Sequence, residues 1–202
     1  FEQHRDIFHL TGIDQEETIL LLYPPSKDDK TREILFIRKS DNHTKVWEGE
    51  KLSRKQANEL SGINSIYYID DFKDILSSIA TKVDTFYINK NEHYRANSPV
   101  ETREDRFISW LLKNYPAHNV AKSNPILQRQ RSIKHPDEID QIKKACDITR
   151  RGFNRVLKFI KPSVWEYEIE AEFIHEFINN SSKGFAYSPI IASGNDNNVL
   201  HY

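Results

Sequence analysis

The 202-residue sequence predicts an α/β fold, a mixed β-sheet flanked by helices, followed by the first helices and a hairpin of a second, α+β domain. Three observations carry this. Short β-branched and aromatic runs recur through the first half (REILFIR, SIYYI, TFYI) and alternate from residue 53 onward with amphipathic helical segments, the pattern of helices packed on a sheet. After residue 123 the composition turns cationic and poor in apolar residues. Beyond Pro136 two long helical periodicities precede a turn-forming run set between apolar stretches. The expected organisation is a first domain over 1–123, a connector over 124–135 and the start of a second domain over 136–202.

Residues 6–10 (DIFHL) are expected as a short strand ended by Thr11-Gly12. Residues 17–23 (ETILLLY) form a stronger one, whose continuous apolar centre implies burial on both faces. PPSKDDK (24–30) is a loop, and 32–38 is a third strand, so the three suggest an antiparallel meander. Residues 41–50 look irregular and carry Trp47, an aromatic expected to fold back onto the sheet. Ser53 can cap a helix over 54–60, stopped by Gly62. A strand at 65–69 leads to a helix opened by Asp70 or Asp71 and running to Ala80, with Phe72, Ile75, Leu76 and Ile79 on one face. The series ends with a strand at 85–88, a helix at 101–115 stopped by Pro116, and a last short strand at 120–121.

ILQRQRSIK (126–134) carries Arg129, Arg131 and Lys134 and reads as a solvated connector. His135-Pro136-Asp137-Glu138 is a helix start, with proline in the first turn and carboxylates facing the positive dipole end. Ile139, Ile142, Ala145, Cys146, Phe153, Val156, Leu157 and Ile160 then recur at helical spacing, which places Cys146 in an apolar stripe as a buried small residue. A second helix covers 165–179. Residues 185–192 and 199–202 are expected as two strands joined by SGNDNN, delivering His201 to a fixed place. A strand that has just begun leaves backbone groups unsatisfied, so the chain is expected to continue past Tyr202.

Composition excludes several functions. Lys plus Arg is 29 and Asp plus Glu is 30, for a formal net charge of -1, which argues against non-specific nucleic-acid or anionic-membrane binding. No apolar run approaches the roughly 20 residues a membrane helix needs. The first ten residues lack the pattern of a signal peptide, although the chain begins at Phe1 and contains no Met. The single Cys146 forbids an internal disulfide and fits a reducing compartment, so a cytoplasmic protein is expected. No glycine-rich phosphate loop is present.

Candidate chemistry is sparse. His4, Asp6 and His9 are close in sequence, but on a strand Asp6 shares a face with His4 and opposes His9, which is weak support for a metal site. The second late helix is strongly acidic (Glu166, Glu168, Glu170, Glu172, Glu176), and its HEFIN lacks the second histidine of the HExxH motif, so a solvated face is expected. From the residues alone, only His201 stands out.

Taken in order, DIFHLTGIDQEETILLL, VWEGEKL, ILQRQRSIKHPDEIDQIKKACDIT, KPSVWEYEIEAEFIHEF and GFAYSPIIASGNDNNVLHY resemble the Xaa-Pro aminopeptidase (aminopeptidase P) family. Prolidase and creatinase share its architecture. The resemblance implies a creatinase-type amino-terminal domain, here lacking its first elements, followed by the beginning of a pita-bread catalytic domain. It implies two divalent metal ions, manganese in most members, and removal of the first residue from peptides with proline second. The family's ligands, two Asp, one His and two Glu, lie downstream of the HY dipeptide, so no metal ligand and no bound metal are expected within this sequence, and the fragment itself is expected to be inactive.

The resemblance assigns the active-site histidine to His201. It assigns substrate-side positions to Asp6, before the LTG stretch, and to Trp47, in VWEG, an aromatic that in some members reaches the cleft of a neighbouring subunit. Asn197-Asn198 depart from the small residues or Cys that many members carry there. A proline-containing peptide and a homo-oligomer (dimer or tetramer) are the implied partners. The alternatives are a non-catalytic pita-bread relative that binds peptide or protein, and a prolidase acting on Xaa-Pro dipeptides.

Overall fold

The computed structural model describes residues 1–89 and 99–201, which divide into two compact units, Phe1–Ser132 and Ile133–Tyr202. In the first unit the order is α1 (Arg5–Thr11), β1 (Ile19–Leu22), α2 (Asp29–Arg32), β2 (Glu33–Ile37), α3 (Asn42–Glu48), α4 (Arg54–Ser61) and β3 (Ser65–Tyr68). A 3₁₀ turn (Ile69–Asp71) leads into α5 (Phe72–Ala80), then β4 (Thr85–Ile88), α6 (Arg103–Asn114), β5 (Asn119–Lys122) and α7 (Asn124–Ser132).

β2 is the centre of this unit. It pairs antiparallel with β1 (Leu20 opposite Leu35) and parallel with β3 (Leu35 opposite Ile66), so the sheet is mixed. Alternation along β2 sends Leu35 and Ile37 to one face and Ile34 and Phe36 to the other. The first pair packs with Ile13, Ala57, Ile63 and Ile66; the second packs with Phe72, Leu76, Ile79 and Leu111. Helices therefore cover both faces, and burial of each such side chain contributes on the order of 1.5–3 kcal/mol. β4 and β5 form a separate parallel pair. Ser53 and Gln56 form a reciprocal capping box at the start of α4, and Gly62 closes that helix in the left-handed region at φ +72°.

Several expectations are corrected. DIFHL is a helix, not a strand: the His4 side chain accepts from the Asp6 N–H and Gly12, at φ +68°, donates to the Phe8 carbonyl. A five-residue stretch with three apolar side chains suits either structure, and here the two caps decide it. The antiparallel meander is absent, because β2 takes β3 as its second neighbour and does so in parallel. β1, expected to be buried on both faces, leaves Leu22 46% exposed, while β2 takes the centre. Residues 41–50 are not irregular: Asp41 Oδ1 accepts from the Thr44 N–H at 2.6 Å and caps α3. Trp47 does not return to the sheet and is 76% exposed. Thr44 and Glu48, four apart, share the inner face, whereas Trp47 lies beside His43 on another, with ring centroids 6.3 Å apart.

The second unit contains α8 (Pro136–Phe159), α9 (Glu166–Asn179) and a 3₁₀ turn (Gly194–Asn198). α8 and α9 pack through Gly152, where an added Cβ would lie 2.9 Å from Phe173 and 3.1 Å from Phe177. Phe153, Phe173, Phe177 and Phe185 extend that contact as edge-to-face and tilted rings, with Phe177 and Phe185 centroids 5.0 Å apart. Cys146 is exposed rather than buried, because the α8–α9 contact centres on Gly152 and Val156, farther along the stripe. The expected closing hairpin is also corrected: residues 185–201 form no strand ladder among the described residues, and their turn is 3₁₀. A two-stranded ribbon alone buries too little apolar surface to hold its pairing. The last residue of that stretch, Tyr202, lies outside the described residues.

Candidate functional site

Among the three residues singled out in the sequence, only Asp6 sits in a built polar site. α1 carries it inward to 6% exposure. Its Oδ2 accepts from Asn89 Nδ2 at 2.8 Å and its Oδ1 accepts from Arg131 Nη1 at 2.6 Å. Asn89 is oriented in turn by Asn124, whose Nδ2 donates to Asn89 Oδ1 at 2.9 Å, and its own amide nitrogen lies 3.2 Å from His4 Nδ1. Residues from α1, the end of β4 and α7 thus converge on one carboxyl group. Burial of a carboxyl group is tolerated when donors of this kind surround it, and an arginine supplies the strongest of them.

α7 accordingly carries the stretch expected as a connector, and it is tied to the first unit by Asn124 and Arg131. Neither residue was a sequence candidate, and neither was Asn89. No local signal could have found them, since Arg131 meets a partner 125 positions away.

Trp47 is on α3, exposed, and its described ring neighbour is His43, tilted at 40° to it. His201 belongs to the second unit, where it is exposed in the turn following the 3₁₀ segment. The expected solvated face of α9 is only partly so. Glu172 and Glu176 are half-buried against Arg155, and Glu166 accepts from the Ser193 N–H at 3.0 Å, holding the turn that leads to His201 against the helix start. A shallow groove of about 480 Å³ is lined by Arg151, Arg155, Lys158, Glu172 and Glu176, and within it Arg155 pairs with both glutamates.

No group of three or more His, Cys, Asp or Glu side chains among the described residues is placed to hold a metal ion. His4 caps α1, and Asp6 is occupied by Asn89 and Arg131, so the His4–Asp6–His9 cluster considered from sequence does not form one. No described helix is long and apolar enough to cross a membrane.

Comparison with known proteins places this architecture. The family described as "Aminopeptidase P, N-terminal domain" matches residues 1–87, and "Metallopeptidase family M24" matches residues 140–202. The Xaa-Pro aminopeptidase of Haemophilus influenzae is 28% identical over the whole chain, which covers 44% of that protein. The Xaa-Pro aminopeptidase of Escherichia coli is 26% identical, with 46% of its length covered. A solved structure from Bacillus anthracis, assigned as an aminopeptidase P, superposes with a TM-score of 0.89 at 32% identity, over the whole of this chain and 48% of that one. The chain thus spans about half the length of the relatives it matches. With both matches in the same order, the chain is similar along its length to the amino-terminal portion of aminopeptidase P members of the M24 metallopeptidases.

Proposed function

We propose that this chain is the amino-terminal portion of a metal-dependent aminopeptidase that removes the first residue from peptides with proline second. The observation that carries the reading is the ordered match of the two halves, one to the amino-terminal domain and one to the metallopeptidase, in a fold shared with the Bacillus anthracis structure. Residues 1–123 form the amino-terminal domain, 124–135 the connector, and 136–202 the start of the catalytic domain. Two divalent metal ions, manganese in the first instance, supply Lewis-acid polarisation and a water nucleophile in such enzymes. Their ligands are assigned to none of the residues named below, whose roles are those of this chain alone.

His201 is assigned to hydrogen-bond the substrate and to hold or pass a proton at the reacting carbonyl, a role that suits imidazole near neutral pH. Asp6 faces the substrate region as a fixed acceptor, its position set by Asn89 and Arg131. Trp47 offers an exposed aromatic surface to the peptide in a neighbouring subunit of a homo-oligomer. The balanced charge disfavours nucleic acid and anionic membrane as partners, and a single cysteine fits the cytoplasm.

The test is an assay of the 202-residue chain with manganese and an Xaa-Pro tripeptide. No turnover is expected. Clear metal-dependent turnover would refute the assignment of the ligands to positions outside the chain. The coding sequence beyond Tyr202 tests the wider reading: five ligands of the expected types support the peptidase, and replacement of two or more favours a non-catalytic binding protein.

A further inference from the structure

An ionic cluster lies beside the helix that carries Trp47, and none of the roles above uses it. α3 has little apolar anchorage. Of its seven residues only Thr44 is buried, while Val46 and Trp47 are 78% and 76% exposed. Its first turn is held by Asp41, whose carboxyl is kept below the usual range by the Thr44 N–H. Its last turn is held by charge. Arg38, just past β2, places Nη1 2.8 Å from Glu48 Oε2 and 3.1 Å from Glu16 Oε1. Lys51 places Nζ 2.5 Å from Glu16 Oε1 and 3.3 Å from Glu48 Oε2, with its side chain only 9% exposed.

Isolated surface ion pairs contribute little, because water screens them and two long side chains must be ordered. A network around a largely covered cation escapes part of both costs. Here two cations bridge two carboxylates, one on α3 and one on the loop before β1. Glu17 adds a longer contact to Arg38 at 3.8 Å, from a backbone at φ +55°. Glu48 is the immediate neighbour of Trp47, so fixing its carboxyl fixes the backbone from which the indole projects.

We infer that Lys51, together with Arg38, is a positioning residue for Trp47: it fastens the last turn of α3 to the Glu16 loop and the end of β2, so that an exposed tryptophan is presented in one place. The functional meaning rests on the reading of Trp47 given above. The physical content rests on the cluster alone.

Hydrogen exchange and ¹⁹F NMR of the 5-fluorotryptophan-labelled 202-residue chain test it, using Lys51→Met, Lys51→Arg and Trp47→Ala. In Lys51→Met, amides of α3 exchange about fivefold faster while those of β2 and α4 do not change, and the Trp47 resonance shifts while those of Trp110 and Trp165 stay. Lys51→Arg restores most of both signals, and Trp47→Ala, which also assigns the resonance, leaves α3 exchange unaltered. Unchanged α3 exchange and an unmoved Trp47 resonance in Lys51→Met overturn the inference, as does a loss of protection spread equally over β2 and α4. Neither readout depends on turnover, so failure of the peptidase reading and failure of this inference are seen separately.

Discussion

Arg131 and Asp6 stand 125 positions apart and meet with Nη1 2.6 Å from Oδ1. The Asp6 side chain is 9% exposed and that of Arg131 is 34% exposed, so the acid is the buried partner. Removing the arginine leaves a covered carboxyl with Asn89 as its described side-chain donor. Arg131→Met is expected to lower the unfolding free energy by about 2 kcal/mol, below the usual cost of breaking a fully buried pair because the guanidinium retains contact with water. Urea denaturation measures it. Asp6→Asn combined with Arg131→Met should cost less than the sum of the single changes, and strict additivity would show that the two side chains are not coupled.

The cluster at Glu16, Glu17, Arg38, Glu48 and Lys51, with Arg103 at its edge, predicts a pH window. Lys51 first, and Arg38 beside it, hold Glu16 below its ordinary 4.5; Arg38 first, and then Lys51, do the same for Glu48. Depressed carboxylates contribute stability that is fully present above 4.5 and is lost as pH falls through their folded values. Glu16 raises Lys51 above its ordinary 10.5, so that contribution is present below 10.5 and is lost at higher pH. Exchange in α3, corrected for its intrinsic pH dependence, is therefore expected to be slowest between these limits and to quicken at both ends and in high salt. A profile flat with salt would count against an ionic origin.

Gly152→Ala is expected to loosen the second unit. A methyl group there meets Phe173 at 2.9 Å, and that ring is itself held by Phe153, Phe177 and Phe185. The ordinary helix preference for alanine, about 1 kcal/mol, is outweighed by overpacking of about 1–3 kcal/mol. Thermal unfolding followed by near-ultraviolet circular dichroism should show a lower midpoint. A higher midpoint would mean that the rings move aside freely.

Ser53→Ala removes one half of the α4 capping box, in which Ser53 Oγ accepts from the Gln56 N–H at 3.3 Å while Gln56 Oε1 accepts from the Ser53 N–H at 2.9 Å. The expected loss is about 1 kcal/mol, with Ser53→Asp recovering most of it. Because α4 covers the Leu35–Ile37 face of β2 through Ala57, the change should appear in the global transition rather than in local fraying alone.

Local signals made most of the fold legible. The cap at Ser53, the stop at Gly62, the apolar face of α5 and the proline start of α8 each act within a few residues of the backbone they direct, and each falls where it was expected. The errors fall where local signals conflict or where pairing is remote. DIFHL fits a strand or a helix by composition, and capping by His4 and Gly12 tips it. Residues 185–202 have strand character but no ladder among the described residues to join.

The sequence by itself determined the α/β class, the placement of α4, α5, α8 and α9, the family resemblance and the candidacy of Asp6, Trp47 and His201, because these rest on contiguous patterns. Tertiary structure alone decided that β2 is the central strand, with a parallel neighbour and helices on both faces. It also decided that Asp6 is enclosed by Asn89 and Arg131, and that Trp47 stands out in solvent on an ionically held helix. The reason is physical. A cap or an apolar stripe is encoded within one or two turns of chain, whereas the partner of a buried charge is chosen by which distant segments packing brings together.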